Sequence, residues 1–154
     1  MITLRRPLTD SLIAALTLSL ALLALSAMAL ADDAVLQFED PWVPEAPPGR
    51  MMAGFMVIHN AGAEDIVLVD VKAEGFGHAE IHDMVIDEEG IMRMRRIDAL
   101  TIPAGDAVAL ASGGFHLMLM QPQAAFSAGD QITMTLIDTE GQSYPVSAAV
   151  RPRR

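Results

Sequence analysis

The sequence contains no cysteine. No thiolate nucleophile, iron–sulfur cluster or thiolate-ligated blue-copper centre can be built from it, and no disulfide can staple its fold. Basic residues are also scarce: 10 Lys+Arg stand against 20 Asp+Glu in 154 residues. Two of the basic residues, Arg5 and Arg6, and one acid, Asp10, fall in the first ten residues, so the remainder carries a formal charge of −11. Such a surface repels phosphate backbones and anionic lipid, which argues against nucleic acid as a partner. Helical periodicity and internal repeats are missing as well. The carboxylates are scattered and no Ser/His/Asp arrangement has a recognisable context, so an enzyme is not expected.

One long apolar run is present. Ser11–Leu30 is rich in Leu and Ala, follows Arg5 and Arg6, and ends at Ala29-Leu30-Ala31 before Asp32-Asp33. A charged start, an apolar middle and a small-residue cleavage site are the three parts of a secretory signal peptide. Residues 1–31 are therefore expected to be removed, leaving one domain, 32–154, outside the cytoplasm with no membrane segment of its own. About twenty apolar residues would also suffice as an uncleaved anchor; the abrupt change to acidic residues favours cleavage.

That domain reads as short strands between turn residues. Expected strands are 53–59, 65–71, 78–86, 91–97, 100–102, 107–111, 115–120, 131–137 and 143–150. The breaks fall at Asn60-Ala61-Gly62, Asp87–Gly90, Pro103–Asp106, Ser112–Gly114, Ala128–Asp130 and Thr139–Gln142. Ile132, Met134 and Leu136 alternate with Thr133 and Thr135, the pattern of a half-buried strand. Strands at this spacing predict an all-β, antiparallel sandwich or barrel. Asp40-Pro41-Trp42-Val43-Pro44 reads as an extended lead-in, and Arg151–Arg154 as a frayed basic tail.

Eleven methionines are the compositional excess, nine of them beyond residue 31. Residues two apart on a strand share a face. His82-x-Met84, Met92-x-Met94 and His116-x-Met118-x-Met120 thus each align soft donors, the first two across an expected hairpin. Thioether and imidazole together favour Cu(I), whereas zinc recruits thiolate, imidazole or carboxylate. Methionine also fills cores. In 115–120, Phe115, Leu117 and Leu119 claim the core face, which turns His116, Met118 and Met120 the other way. In the hairpin Arg93 and Arg95 claim solvent, so Met92 and Met94 can equally be core, with Met94 at the rim. On the residues alone, core packing and soft-metal ligation both remain open.

The stretch from His82 to Met118 resembles the periplasmic copper chaperones of the PCu(A)C family, whose signature is a His, eleven residues, a Met, twenty-one residues, then His-x-Met. Here 83–93 separate His82 from Met94, 95–115 separate Met94 from His116, and Met118 closes the pattern. The flanks resemble the family too: Gly90-Ile91-Met92-Arg93-Met94-Arg95, Ile102-Pro103-Ala104-Gly105 and Gly113–Met120. The resemblance spans about Trp42 to Val150. It implies a cupredoxin-like β-domain that binds one Cu(I) through His82, Met94, His116 and Met118. It also implies delivery to the dinuclear copper centre of cytochrome c oxidase subunit II, with a thiol-bearing Sco-type protein as co-worker.

The sequence departs from the family at Asp83, where some members carry Met, and Met84 follows as a core or supporting residue. Arg151–Arg154 contains no His or Met, so no second, Cu(II) site is implied. His59 and His78 read as structural or merely exposed, and Met51 and Met52 as possible rim residues. Two other readings stay in play. One is a metal-free β-sandwich binding a partner through a Met-rich patch. The other, a copper redox protein, usually needs a cysteine or a three-nitrogen cluster.

Overall fold

A computed structural model describes residues 35–153, so the expected signal peptide lies outside the described residues. Ten strands and no helix make up those residues. They are β1 (Leu36–Pro44), β2 (Met52–Asn60), β3 (Ile66–Ala73), β4 (Phe76–Ile86) and β5 (Met92–Arg96), then β6 (Leu100–Ile102), β7 (Ala107–Leu110), β8 (His116–Pro122), β9 (Gln131–Asp138) and β10 (Ser143–Arg151). Among the described residues no helix is long and apolar enough to cross a membrane.

The strands form one open sheet in the order β5-β4-β8-β2-β1-β10-β9-β3-β6, with β7 also paired to β2. Strand β2 makes the turn-over possible. Its first half, Met52–Gly54, pairs with β8, and its second half, Met56–His59, pairs with β7. The sheet thereby folds over one apolar core without closing on itself. Ile81, Leu117 and Leu119 enter it from β4 and β8, and Met134, Leu136 and Val146 from β9 and β10. Gly54 sits where space is tight: a Cβ there would lie 3.3 Å from the Cβ of Leu117, its partner across the ladder, and 3.6 Å from the Met134 sulfur of β9. Close approach of a neighbouring strand is a known use of a strand glycine.

The all-β, cupredoxin-like architecture is as expected, and the expected strand bounds agree within two residues. Two details differ. The lead-in segment is a full strand, β1, although Pro41 and Pro44 lack the amide hydrogens a central strand needs. The chain accommodates them at a bulge. Leu36–Glu39 pair antiparallel with β2, the ladder resumes at Trp42 opposite Phe55, and on the other edge Trp42–Pro44 pair parallel with β10, the one parallel ladder among the described residues. Asp40, with φ of 49°, sits at that bulge, in the left-handed region that short polar side chains tolerate.

The second difference concerns Arg151, which is no frayed tail. It ends β10 opposite Pro44, holds the Asp40 carboxylate with both terminal nitrogens, and lies 5.5 Å over the Trp42 ring. That ion pair lowers the Asp40 carboxyl below its ordinary value and raises the Arg151 guanidinium. The prolines made β1 look irregular, and a contact 111 residues away in sequence completes it.

Candidate metal site

Strands β4 and β8 lie side by side with His82 opposite His116, Glu80 opposite Met118 and His78 opposite Met120. Residues in register share a face, and i, i+2 neighbours extend it. One face thus carries His78, Glu80, His82, His116, Met118 and Met120. The other carries Ala79, Ile81, Leu117 and Leu119, all in the core. Strand β8 starts at His116, so β4 runs on past it, and β5 pairs with this projecting part. His82 meets Arg96, Met84 meets Met94, and Ile86 meets Met92. The same face therefore continues from the two histidines onto the thioethers of Met84 and Met94.

Met84, Met94, His116 and Met118 line one cavity of about 260 Å³, together with Ala53 and Phe55 of β2 and the loop at Ser112-Gly113. The Phe55 ring packs against Trp42 with centroids 5.1 Å apart. His82 stands beside this group, its ring centroid 5.8 Å from that of His116. Of the four expected ligands, the fold thus collects Met94, His116 and Met118 around one cavity and sets His82 next to His116.

Burial differs from the expectation in both directions. His116 and Met118 turn away from the core as expected, yet they are only 5 % and 7 % exposed. Conversely, Met92 and Met94 are not core: they are 54 % and 47 % exposed, and every residue of β5 is open to solvent. The reason is register. Strand β5 is the edge of the sheet and pairs with His82–Ile86 of β4, a stretch that beyond His82 has no β8 residue on its other side.

The hydrogen bonds single out two atoms. His116 Nδ1 lies 2.9 Å from the Gly114 carbonyl oxygen, which can only accept, so Nδ1 carries the hydrogen and Nε2 keeps a lone pair. His82 Nε2 lies 2.7 Å from Glu80 Oε2. Among the described residues, the buried side-chain nitrogens and oxygens without any partner are His82 Nδ1 and His116 Nε2. Leaving a polar atom buried and unpaired costs about 1–3 kcal/mol, so such atoms call for a reason. A soft cation among thioethers supplies one: two imidazole lone pairs and the methionine sulfurs are a donor set suited to Cu(I). Among the described residues no group of three or more His, Cys, Asp or Glu is arranged to hold a metal.

Glu80 is the charged group beside the site. It receives hydrogen bonds from His82 and, at 2.9 Å, from His78, and Arg96 lies 3.4 Å away. The bond from His82 and then that from His78 hold its carboxyl below the ordinary value; burial opposes them, and the charge of Arg96 adds a smaller lowering effect.

Two participants were missed or underrated in the sequence. Met84, read as core or support, lines the cavity opposite Met94. Alternation turns Asp83 to the other face, opposite Arg95, so methionine missing at 83 removes no thioether from this face. Glu80 went unread, although the spacing His78-x-Glu80-x-His82 carried the signal. Among the other candidates, Met120 shares the face but not the cavity, and Met52 is buried in the core. Met51 lines a smaller neighbouring cavity that shares Ala53 and Met118. His59 is partly exposed and meets Glu39 at 2.9 Å.

Comparison with known proteins agrees with this architecture. The LpqE-like family model matches residues 36–150. Lxx21020 of Leifsonia xyli subsp. xyli, which carries a lipoprotein name, is 30 % identical over 116 residues, covering 75 % of this chain and 69 % of that protein. Among solved structures, the apo PCuAC domain from PmoF1 has a TM-score of 0.64 at 26 % identity, over 77 % of this chain and 95 % of that one. The CuI form of DR1885 from Deinococcus radiodurans has a TM-score of 0.60 at 27 % identity, over 81 % and 85 %. The chain belongs to the LpqE-like family, and its β-domain is built as a PCuAC domain.

Proposed function

We propose that this domain is a copper chaperone that carries one Cu(I) on His82, Met94, His116 and Met118. The observation that carries the reading is the pair of buried, unpartnered imidazole nitrogens beside a cavity of methionine sulfurs. The likeness to DR1885, whose solved form holds CuI, supports it. Export to the periplasm, with residues 1–31 as a removed signal peptide and 32–154 as the mature domain, follows from the leader pattern. In an oxidising compartment thioethers and imidazoles remain usable where thiolates are lost to disulfides.

The four donors are unequally placed, and this suits a carrier. His116 and Met118 are buried and hold the ion from the sheet. Met94 is half exposed on a strand with no layer beneath it. An incoming soft ligand can displace Met94 first and take the ion in associative steps, with Met84 opposite it as a replacement sulfur. With no thiolate in the chain, nothing locks the ion in place. The resemblance further points to delivery toward the dinuclear centre of cytochrome c oxidase subunit II, alongside a Sco-type protein.

The test is a Cu(I) titration of the domain against a competing chelator, with X-ray absorption on the loaded form. One equivalent, bound by both sulfur and nitrogen with no strong visible band, is expected. Binding of less than one equivalent, or a shell without sulfur, would overturn the reading.

A further inference from the structure

The two histidines offer different ring atoms, and each choice is fixed by a hydrogen bond at the opposite nitrogen. For His116 the fixing group is a main-chain carbonyl, that of Gly114. For His82 it is a side chain, Glu80, and that makes it open to mutation. We propose that Glu80 is a positioning residue for copper: it holds His82 as the Nε2–H tautomer and so presents Nδ1, not Nε2, to the ion. The proposal rests on the Cu(I) reading of the site and assigns a role that the four-ligand set does not contain.

The geometry around the carboxylate is specific. Oxygen Oε1 is taken by His78 Nε2 at 2.9 Å and Arg96 Nη1 at 3.4 Å. Oxygen Oε2 receives His82 Nε2 at 2.7 Å. Glu80 is thereby held by groups from β4 and from β5, and only one oxygen is left for His82. A neutral imidazole has one N–H, so donation from Nε2 leaves the lone pair on Nδ1. That is the atom found buried without a partner.

Glu80 is a poor ligand in its own right for this ion, since carboxylate is hard and Cu(I) soft. A carboxylate on the remote nitrogen of a ligating histidine instead fixes the ring and strengthens its lone pair. The i, i+2 spacing on β4 puts the carboxylate within reach of the His82 ring. The pairing of β4 with β5 brings Arg96 to it, because Arg96 stands opposite His82.

The experiment uses the protein with 15N-labelled histidine, without metal, at about pH 8 where imidazoles are ordinarily neutral. Long-range 1H–15N correlation then reads each ring's tautomer directly. In the wild type, His82 is expected as Nε2–H and His116 as Nδ1–H. In Glu80→Leu, His82 is expected to lose its single tautomer while His116 keeps its own, and Cu(I) affinity is expected to fall about 10–100-fold. Glu80→Gln retains an acceptor oxygen and is expected to restore most of both. Melting of each variant checks that the fold survives.

The proposal is overturned if wild-type His82 carries its hydrogen on Nδ1, or if Glu80→Leu keeps both tautomer and affinity. It is likewise overturned if the tautomer is lost while Cu(I) affinity is unchanged, since Nδ1 would then not be the bonding atom. Failure of the wild type to bind one Cu(I) is a separate result. It removes the site reading itself, whatever the tautomers show.

Discussion

Among the described residues three polar side chains are buried, Asn60, Asp138 and His116, and they are treated in opposite ways. Asn60, at the end of β2, donates to the Glu64 and Ile102 carbonyls and accepts from the Gly62 amide. Asp138, at the end of β9, accepts from the Glu140 and Gln142 amides and from the Tyr144 hydroxyl. Every polar atom of both side chains has a partner, and both close a turn. His116 is equally buried, yet its Nε2 has no partner, and neither does Nδ1 of neighbouring His82. Where buried polarity serves the fold, every bond is made. Where bonds are left open, the open atoms are lone pairs beside sulfur. The contrast separates stability from binding within one small core.

The comparison breaks most readily at His116. In His116→Ala, Cu(I) affinity is expected to fall by more than about 100-fold, since even outer partners of a metal ligand are worth about 10–100-fold. The melting temperature of the metal-free protein should move little, because an unpaired polar atom leaves with the ring. Chelator competition and thermal melting on the same sample decide it. A large loss of stability with copper binding intact would make His116 a fold residue like the other two.

Asp138→Ala is the reverse experiment. Two main-chain amides and a phenol lose their acceptor, so urea unfolding should show a loss of about 2 kcal/mol, with Cu(I) affinity unchanged. Met94→Leu comes next. Volume and apolarity nearly match and the site is half exposed, so the melting point should hold. Cu(I) affinity should fall about tenfold, less than for a ligand's full outer shell and its ring together, because Met84 remains across the ladder. A tenfold loss that deepens further in the Met84→Leu/Met94→Leu pair would confirm the substitution of one sulfur for the other.

The smallest effect is at high pH. Burial, then the hydrogen bond to Asp138, raises the Tyr144 phenol to about 12. The unfolded chain gives up this proton near 10, so the folded state binds it more tightly. Its contribution is complete below about pH 10 and is lost as pH rises from about 10 toward 12. Tyr144 is the sole tyrosine, so phenolate absorbance follows it alone. Tyr144→Phe should cost about 1 kcal/mol near neutrality and flatten that alkaline fall.

How much of this was legible depended on distance along the chain. The strands were readable because alternation and turn residues are local; β1 was misread because its prolines are local too, while the partners that excuse them are not. For the site, the spacing of His82, Met94, His116 and Met118 was readable as a family pattern, and the face of His116 followed from Leu117 and Leu119. Glu80 and Met84 acquire their meaning from the β4–β8 and β4–β5 registers, which no single strand contains.

The sequence by itself determined the all-β character, the absence of thiol chemistry, the acidic surface and which soft donors share a face of their own strand. These follow from composition and from the two-residue period of an extended chain. Only the tertiary structure decided which donors are buried. His116 and Met118 lie within a sheet flanked by other strands, whereas Met94 sits on an edge strand that pairs with the overhang of β4. It also decided which nitrogen of each histidine is free, because a tautomer is set by a neighbour across a hydrogen bond, and for His82 that neighbour is held by His78 of its own strand and Arg96 of β5.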